Sequence, residues 1–329
     1  MNKNLRIAIS IAAAVSLAGG AMATGATAAT KSKITIASVY GNTYDPFWTS
    51  LGCGAKAQAK AMGVTYKEFT STAADNASFD QSFNSAQLIQ ANGLMINPLN
   101  PDQFATQQQQ LMKAGVPVVT INGSNPPSQY RVVGTDVTNE SFLSGLDKIV
   151  PSGAGKVAII NGVPGLVPVD VRLNPVVAQV LKANSSLKAL DPQYTFFDSN
   201  KASAATSALL VANPDLKVII AGDGPDGSGV AAAVKAAGMS GKVTVIALDA
   251  VPTEVSALKD GTISALVAQA PARIGATQLK TLVDYLKAAK SKKAVKVAST
   301  KIGVPQKLLT KANVDLKANS DWVYATACK

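Results

Sequence analysis

The sequence has 329 residues, 47% hydrophobic and 16% charged, a globular composition too long for one compact core and long enough for two. It carries a formal charge of +11 and no histidine, which excludes imidazole bases, Ser-His-Asp or Cys-His nucleophiles and His-based metal sites. Two cysteines, Cys53 and Cys328, are too few for a zinc or iron–sulfur framework.

Residues 1–28 read as an export signal. Lys3 and Arg6 precede the apolar stretch 7–18, and small residues follow, with cleavage expected after Ala28 and Ala21-Met22-Ala23 as the alternative site. The apolar run is shorter than the ~20 residues of a spanning helix, and no cysteine marks a lipid anchor. The mature chain is therefore expected in a periplasm. In that oxidising compartment Cys53 and Cys328 are expected to pair, the alternative being two buried thiols.

Beyond the signal, short β-branched runs alternate with helix-length segments, which predicts βαβ units and parallel sheets. Strands are predicted at 34–40, 65–70, 93–97, 117–121, 130–134, 156–161, 194–197, 217–221, 243–248, 265–269 and near Ile302. Helices are predicted at 46–62, 78–91, 101–114, 139–149, 170–183, 202–211, 228–237, 253–259 and 272–290. Asp45-Pro46 offers a capping carboxylate before a first-turn proline, and Gly63, Gly115 and Gly238 stand where helices end. Two doubly wound α/β lobes follow. Between Lys280 and Lys317 ten lysines face only Asp284 and Asp315, with no arginine and one aromatic, Tyr285. That composition suits a solvated face better than a nucleic-acid surface.

In such sheets ligands lie outside the carboxyl ends of the strands. The residues there include Asn42, Asp45, Phe47, Trp48, Asn97, Asn122, Asp223, Asp249 and Gln269. Amides, carboxylates and aromatic rings together suit a hydroxyl-rich ligand, because each OH both donates and accepts and its C–H faces pack on rings. Singly, Asp45 reads as an N-cap, Asn97 and Asn122 as turn formers and Phe47 as core. A rival motif is Gly222-Asp-Gly224-Pro-Asp-Gly227, a G-x-G-x-x-G between a strand and a helix, with Asp249 downstream as a ribose-binding acid. Asp223 and Asp226 oppose it, since a pyrophosphate needs positive potential there. Ser185-x-x-Lys188 and Ser256-x-x-Lys259 lack the companion motifs of a serine–lysine site.

Asp45-Pro46-Phe47-Trp48, Ile96-Asn97-Pro98, Asp170-Val171-Arg172, Ala221-Gly222-Asp223, Ala247-Leu248-Asp249 and Ala268-Gln269 through Gly275 resemble, in order and spacing, the periplasmic sugar-binding proteins of ABC transporters. The ribose-binding branch is the most similar, from Lys33 to about Pro305. The resemblance implies a type I periplasmic binding fold whose chain crosses between lobes near Asp136, Gln269 and Gly303. The N-terminal lobe would hold residues 29–135 and 271–303, and the C-terminal lobe 136–270 and 304–329, with the tail returning Cys328 to Cys53. Phe47 and Trp48 would flank a sugar ring, Phe197 would pack from the second lobe, and Asn97, Arg172, Asp223, Asp249 and Gln269 would bind hydroxyls. Asn122-Gly123 stands where the family has an Asp-Arg pair, and this points away from a standard pyranose clamp.

These readings imply a monomeric, exported binding protein without catalysis, metal or cofactor. It would deliver a small neutral sugar or polyol (a pentose, deoxy sugar or short linear polyol) to a membrane permease. The alternatives are a ligand sensor for a chemoreceptor and an exported dinucleotide-dependent oxidoreductase.

Overall fold

The computed structural model describes residues 34–41, 45–73, 75–98, 100–138, 140–289, 293–298 and 300–328. The signal-like residues 1–28 and Asn42 lie outside them. The first half of the chain runs β1 (Thr35–Tyr40), α1 (Pro46–Met62), β2 (Thr65–Thr70), α2 (Asn76–Leu88), β3 (Gly93–Ile96), α3 (Ala105–Lys113), β4 (Val118–Thr120) and β5 (Arg131–Thr135). The second runs β6 (Gly155–Asn161), α4 (Val167–Ala183), β7 (Leu187–Ala189), β8 (Gln193–Tyr194), α5 (Ser199–Ala212), β9 (Leu216–Ala221), α6 (Gly224–Ala236), β10 (Thr244–Leu248), α7 (Pro252–Asp260) and β11 (Ala265–Ala268). Then come α8 (Pro271–Ala288), β12 (Ile302–Val304) and β13 (Lys307–Leu309).

Two sheets result, ordered β12-β5-β4-β3-β1-β2 and β13-β11-β10-β9-β6-β7, with β8 also paired to β6. Every pairing is parallel except β13 against β11. The central strands are apolar without alternation because helices cover both faces: Val218, Ile219, Ile220 and Ala221 of β9 are all fully buried. Each such isoleucine contributes about 1.5–3 kcal/mol through burial. The chain passes between sheets three times: from β5 to β6, from β11 to α8, and from β12 to β13. Helix α8 returns to the first sheet and packs on α1, where a Cβ at Gly54 or Gly275 would collide with the facing backbone. Its buried face carries Ile274, Gln278, Leu279, Leu282 and Val283, one stripe of the helical period.

Local chemistry explains where the elements depart from the predicted ones. The predicted helix 139–149 is instead two 3-10 turns, Glu140–Leu143 and Leu146–Lys148, broken by Gly145 at φ +100°. Helix α3 starts at Ala105, not 101, because Phe104 is left-handed, and its ring stacks on Phe83 at 4.5 Å. The predicted strand 194–197 is reduced to β8, since Phe196 and Phe197 turn left-handed at φ +60° and +59°. Strands β7 and β13 were not predicted.

After β13 the chain makes a 3-10 turn, Lys317–Trp322, and then crosses to α1. Tyr324 N–H donates to the Ala250 carbonyl at 3.0 Å, and Ala325 N–H to Ser50 Oγ at 2.7 Å. Cys328 is disulfide-bonded to Cys53, with Cα atoms 5.1 Å apart, so the expected pairing is present. Of the late lysines, Lys280, Lys287, Lys293, Lys296, Lys301, Lys311 and Lys317 are exposed, and Lys290 and Lys292 lie outside the described residues.

Candidate functional site

The carboxyl ends of β1, β10 and β11, the first turn of α1 and the second turn of α4 come together between the two sheets. Asp45 caps α1: its carboxylate accepts from Phe47 N–H at 2.8 Å, while Pro46 fixes the first helical position. That cap projects the next two side chains as a pair. Phe47 meets Trp48 edge to face at 5.0 Å, and Trp48 stacks beside Tyr40 at 5.9 Å. Trp48 is buried, with its indole over Gly41.

Opposite stands Asp249, just past β10, left-handed at φ +82°. A positive φ at a non-glycine residue is uncommon and, where it occurs in a site, aims a side chain. One carboxylate oxygen of Asp249 accepts three hydrogen bonds: from Arg172 Nη1 at 3.0 Å, Gln269 Nε2 at 2.8 Å and Tyr324 Oη at 2.9 Å. Arg172, on the second turn of α4, is also steadied by Nε donating to the Pro168 carbonyl at 3.2 Å. Gln269 Oε1 in turn accepts the hydroxyl of Thr135, at the end of β5, so the hinge and the cluster share a residue. Arg172, Asp249, Gln269 and Tyr324 are all buried.

The remaining predicted site residues are less central. Asn97 is fully buried, but its side chain exchanges two hydrogen bonds with Gln278 of α8, at 3.2 and 2.9 Å. Asn122 is half-buried in the loop after β4. Phe197 is 39% exposed, and its ring lies over Gly162 at the end of β6. Asp223 caps α6, accepting from Asp226 N–H at 3.0 Å. That cap puts a carboxylate where a pyrophosphate would need the helix N-terminus. The glycines of the G-x-G-x-x-G have another use: a Cβ on Gly227 would collide with Glu254, and one on Gly224 would crowd Val251. The motif is a packing seam between α6 and α7.

Burial sets the electrostatics. Desolvation pushes the Asp45 carboxyl up from 3.8 to about 6, and the nearby Asp249 charge adds to the rise. Desolvation also raises Asp223, Asp226 and Glu254, each of which keeps one buried carboxyl oxygen without a hydrogen-bond partner. A carboxyl whose folded pKa exceeds its unfolded value binds its proton more readily when folded, so stability falls as pH rises through that interval. For Asp45 the interval runs from 3.8 to about 6, and the other three act in the same direction. The protein is therefore expected to melt at a higher temperature at pH 5 than at pH 8. Asp45→Asn, which keeps the cap, should reduce the difference. A lower melting temperature at pH 5 would contradict the assignment.

The sequence of this two-sheet α/β chain matches the periplasmic binding protein domain family over residues 36–291. The chain belongs to the periplasmic binding proteins. It is 30% identical over 258 residues to the D-allose-binding periplasmic protein of Escherichia coli (strain K12), covering 75% of this chain and 82% of that one. It is 28% identical over 275 residues to the ribose import binding protein RbsB of Bacillus subtilis (strain 168), covering 80% and 86%. An ABC transporter solute binding protein from Agrobacterium vitis, bound with alpha-D-tagatopyranose, superposes with a TM-score of 0.76 at 25% identity, covering 89% of this chain and all of that one. These are sugar-binding transport proteins, not enzymes.

Sequence reasoning missed Tyr324. The signal was available in the cysteines: the pairing of Cys328 with Cys53 carries Tyr324, four residues earlier, back toward α1.

Proposed function

We propose that this periplasmic binding protein captures a small neutral sugar or polyol in the cleft between its lobes and delivers it to an ABC-type permease. The observation that supports the reading is the Arg172–Asp249–Gln269 cluster, linked through Tyr324 to the Phe47 ring of the other lobe. Arg172 and Asp249 neutralise each other, and burial favours the protonated form of the surrounding acids, so the site suits hydroxyls better than a charged ligand. Hydroxyl groups can donate to Asp249 and accept from Arg172, and the aromatic faces take the C–H surface. Each lobe supplies part of this set, so ligand binding favours the closed arrangement. Residues 1–28 would direct export and be removed.

A thermal-shift screen tests the reading, because a ligand that binds only the folded state raises the melting temperature by mass action. At least one of D-ribose, D-allose, D-arabinose and a set of linear polyols is expected to produce a clear shift, and NAD and NADP none. The same ligand should change intrinsic fluorescence, and Trp48→Phe should remove most of that change. A nucleotide shift without any sugar or polyol shift would overturn the proposal.

A further inference from the structure

We infer that Tyr324, carried on the disulfide-anchored C-terminal tail, is a wall of the ligand cleft that restricts the size of the sugar this chain accepts. The inference rests on the sugar-binding reading above and adds a specificity residue to the site.

The path of the tail places this side chain. Trp322 anchors its start: the indole donates to the Pro305 carbonyl at 3.1 Å, at the third crossing, with Arg273 and Lys307 over its ring. Tyr324 then bonds through its backbone to Ala250, next to Asp249, and Ala325 bonds to Ser50 on α1. Cys328 fixes the far end covalently to the same helix. Between these anchors the phenol has little freedom, and it is 3% exposed.

Both ends of the tyrosine side chain meet groups assigned to the ligand. Its ring contacts the Phe47 ring at 6.0 Å and 65°, and its hydroxyl donates to Asp249 at 2.9 Å beside Arg172 and Gln269. A carboxylate offers about four acceptor positions, and three donors from the protein already converge on one Asp249 oxygen. The phenol therefore takes both an acceptor position and the space between Phe47 and Asp249. A ligand must be correspondingly short on that side.

The test compares pairs of sugars that differ by one hydroxymethyl group on the pyranose ring: D-ribose with D-allose, and L-arabinose with D-galactose. Affinities are measured by calorimetry for the wild type, Tyr324→Ala and Tyr324→Phe. Tyr324→Ala should raise the hexose-to-pentose affinity ratio by about tenfold or more, the scale on which a pocket wall discriminates a small group. Tyr324→Phe retains the ring and should leave the ratio near the wild-type value. A tyrosine that only staples the tail would lower all affinities together, so an unchanged ratio in Tyr324→Ala overturns the inference and leaves sugar binding standing. If Tyr324→Ala loses cooperative unfolding, Tyr324→Leu replaces it, with the same ratio shift expected. If neither the wild type nor the variants bind any of the four sugars, the inference is overturned; should the polyols and the remaining sugars of the thermal screen also fail, the binding reading falls too.

Discussion

Arg172→Ala is expected to weaken binding of the best ligand by about 30- to 150-fold, the equivalent of about 2–3 kcal/mol for charge-assisted hydrogen bonds lost in a closed site. Among the described residues Arg172 is the only buried arginine or lysine, and it pairs with the buried Asp249 at 3.0 Å. Removing it leaves Asp249 with neutral donors only, Gln269 and Tyr324. Asp249→Asn disrupts the same pair from the other side, stranding the guanidinium. Breaking one partner of a buried pair costs about 3–5 kcal/mol of stability, so both variants should also melt lower. Calorimetry separates the effects, since affinity is measured on the folded fraction. Wild-type affinity in both variants would place the ligand elsewhere.

The legible parts of this molecule are those decided by neighbours in sequence. Asp45 caps the helix that follows it because a short carboxylate reaches the first free N–H groups wherever the strand delivers it, whereas Asp198 and Asp223 cap helices that begin three or four residues before the predicted starts at 202 and 228. Strand runs such as 218–221 are apolar throughout because both faces are covered, and that pattern needs no knowledge of partners. Asn97 shows the limit. Its position at a strand end could be read, but its pairing with Gln278, 181 residues away, is fixed by how α8 returns to the first sheet. The same limit applies to the glycines of the G-x-G-x-x-G, whose purpose depends on Glu254 of α7 and on Val251 at that helix's N-cap. Tyr324 is the extreme case, because its place beside Phe47 and Asp249 can be read only from the pairing of Cys328, four residues on, with Cys53.

Removing that link with Cys53→Ser and Cys328→Ser is expected to cost about 2–5 kcal/mol of stability, measured by urea unfolding. The bridge joins residues 275 apart, so in the unfolded chain it forbids a large set of conformations that the open chain would explore. The chain-entropy estimate for so long a loop is about 5 kcal/mol. The folded side adds to the dependence. Ordering the tail costs about 1–2 kcal/mol of backbone entropy per residue, against the bonds to Ala250, Ser50 and Asp249. Each of those bonds contributes only about 0.5–1.5 kcal/mol net, so the tail should fray from the cleft once it is untethered. Reductant should lower the wild type to the level of the double variant and leave the variant itself unchanged. Thiol titration of the unfolded, unreduced wild type should find no free sulfhydryl. Two titratable thiols there, or a wild type indifferent to reductant, would show that the protein is not held by this bond.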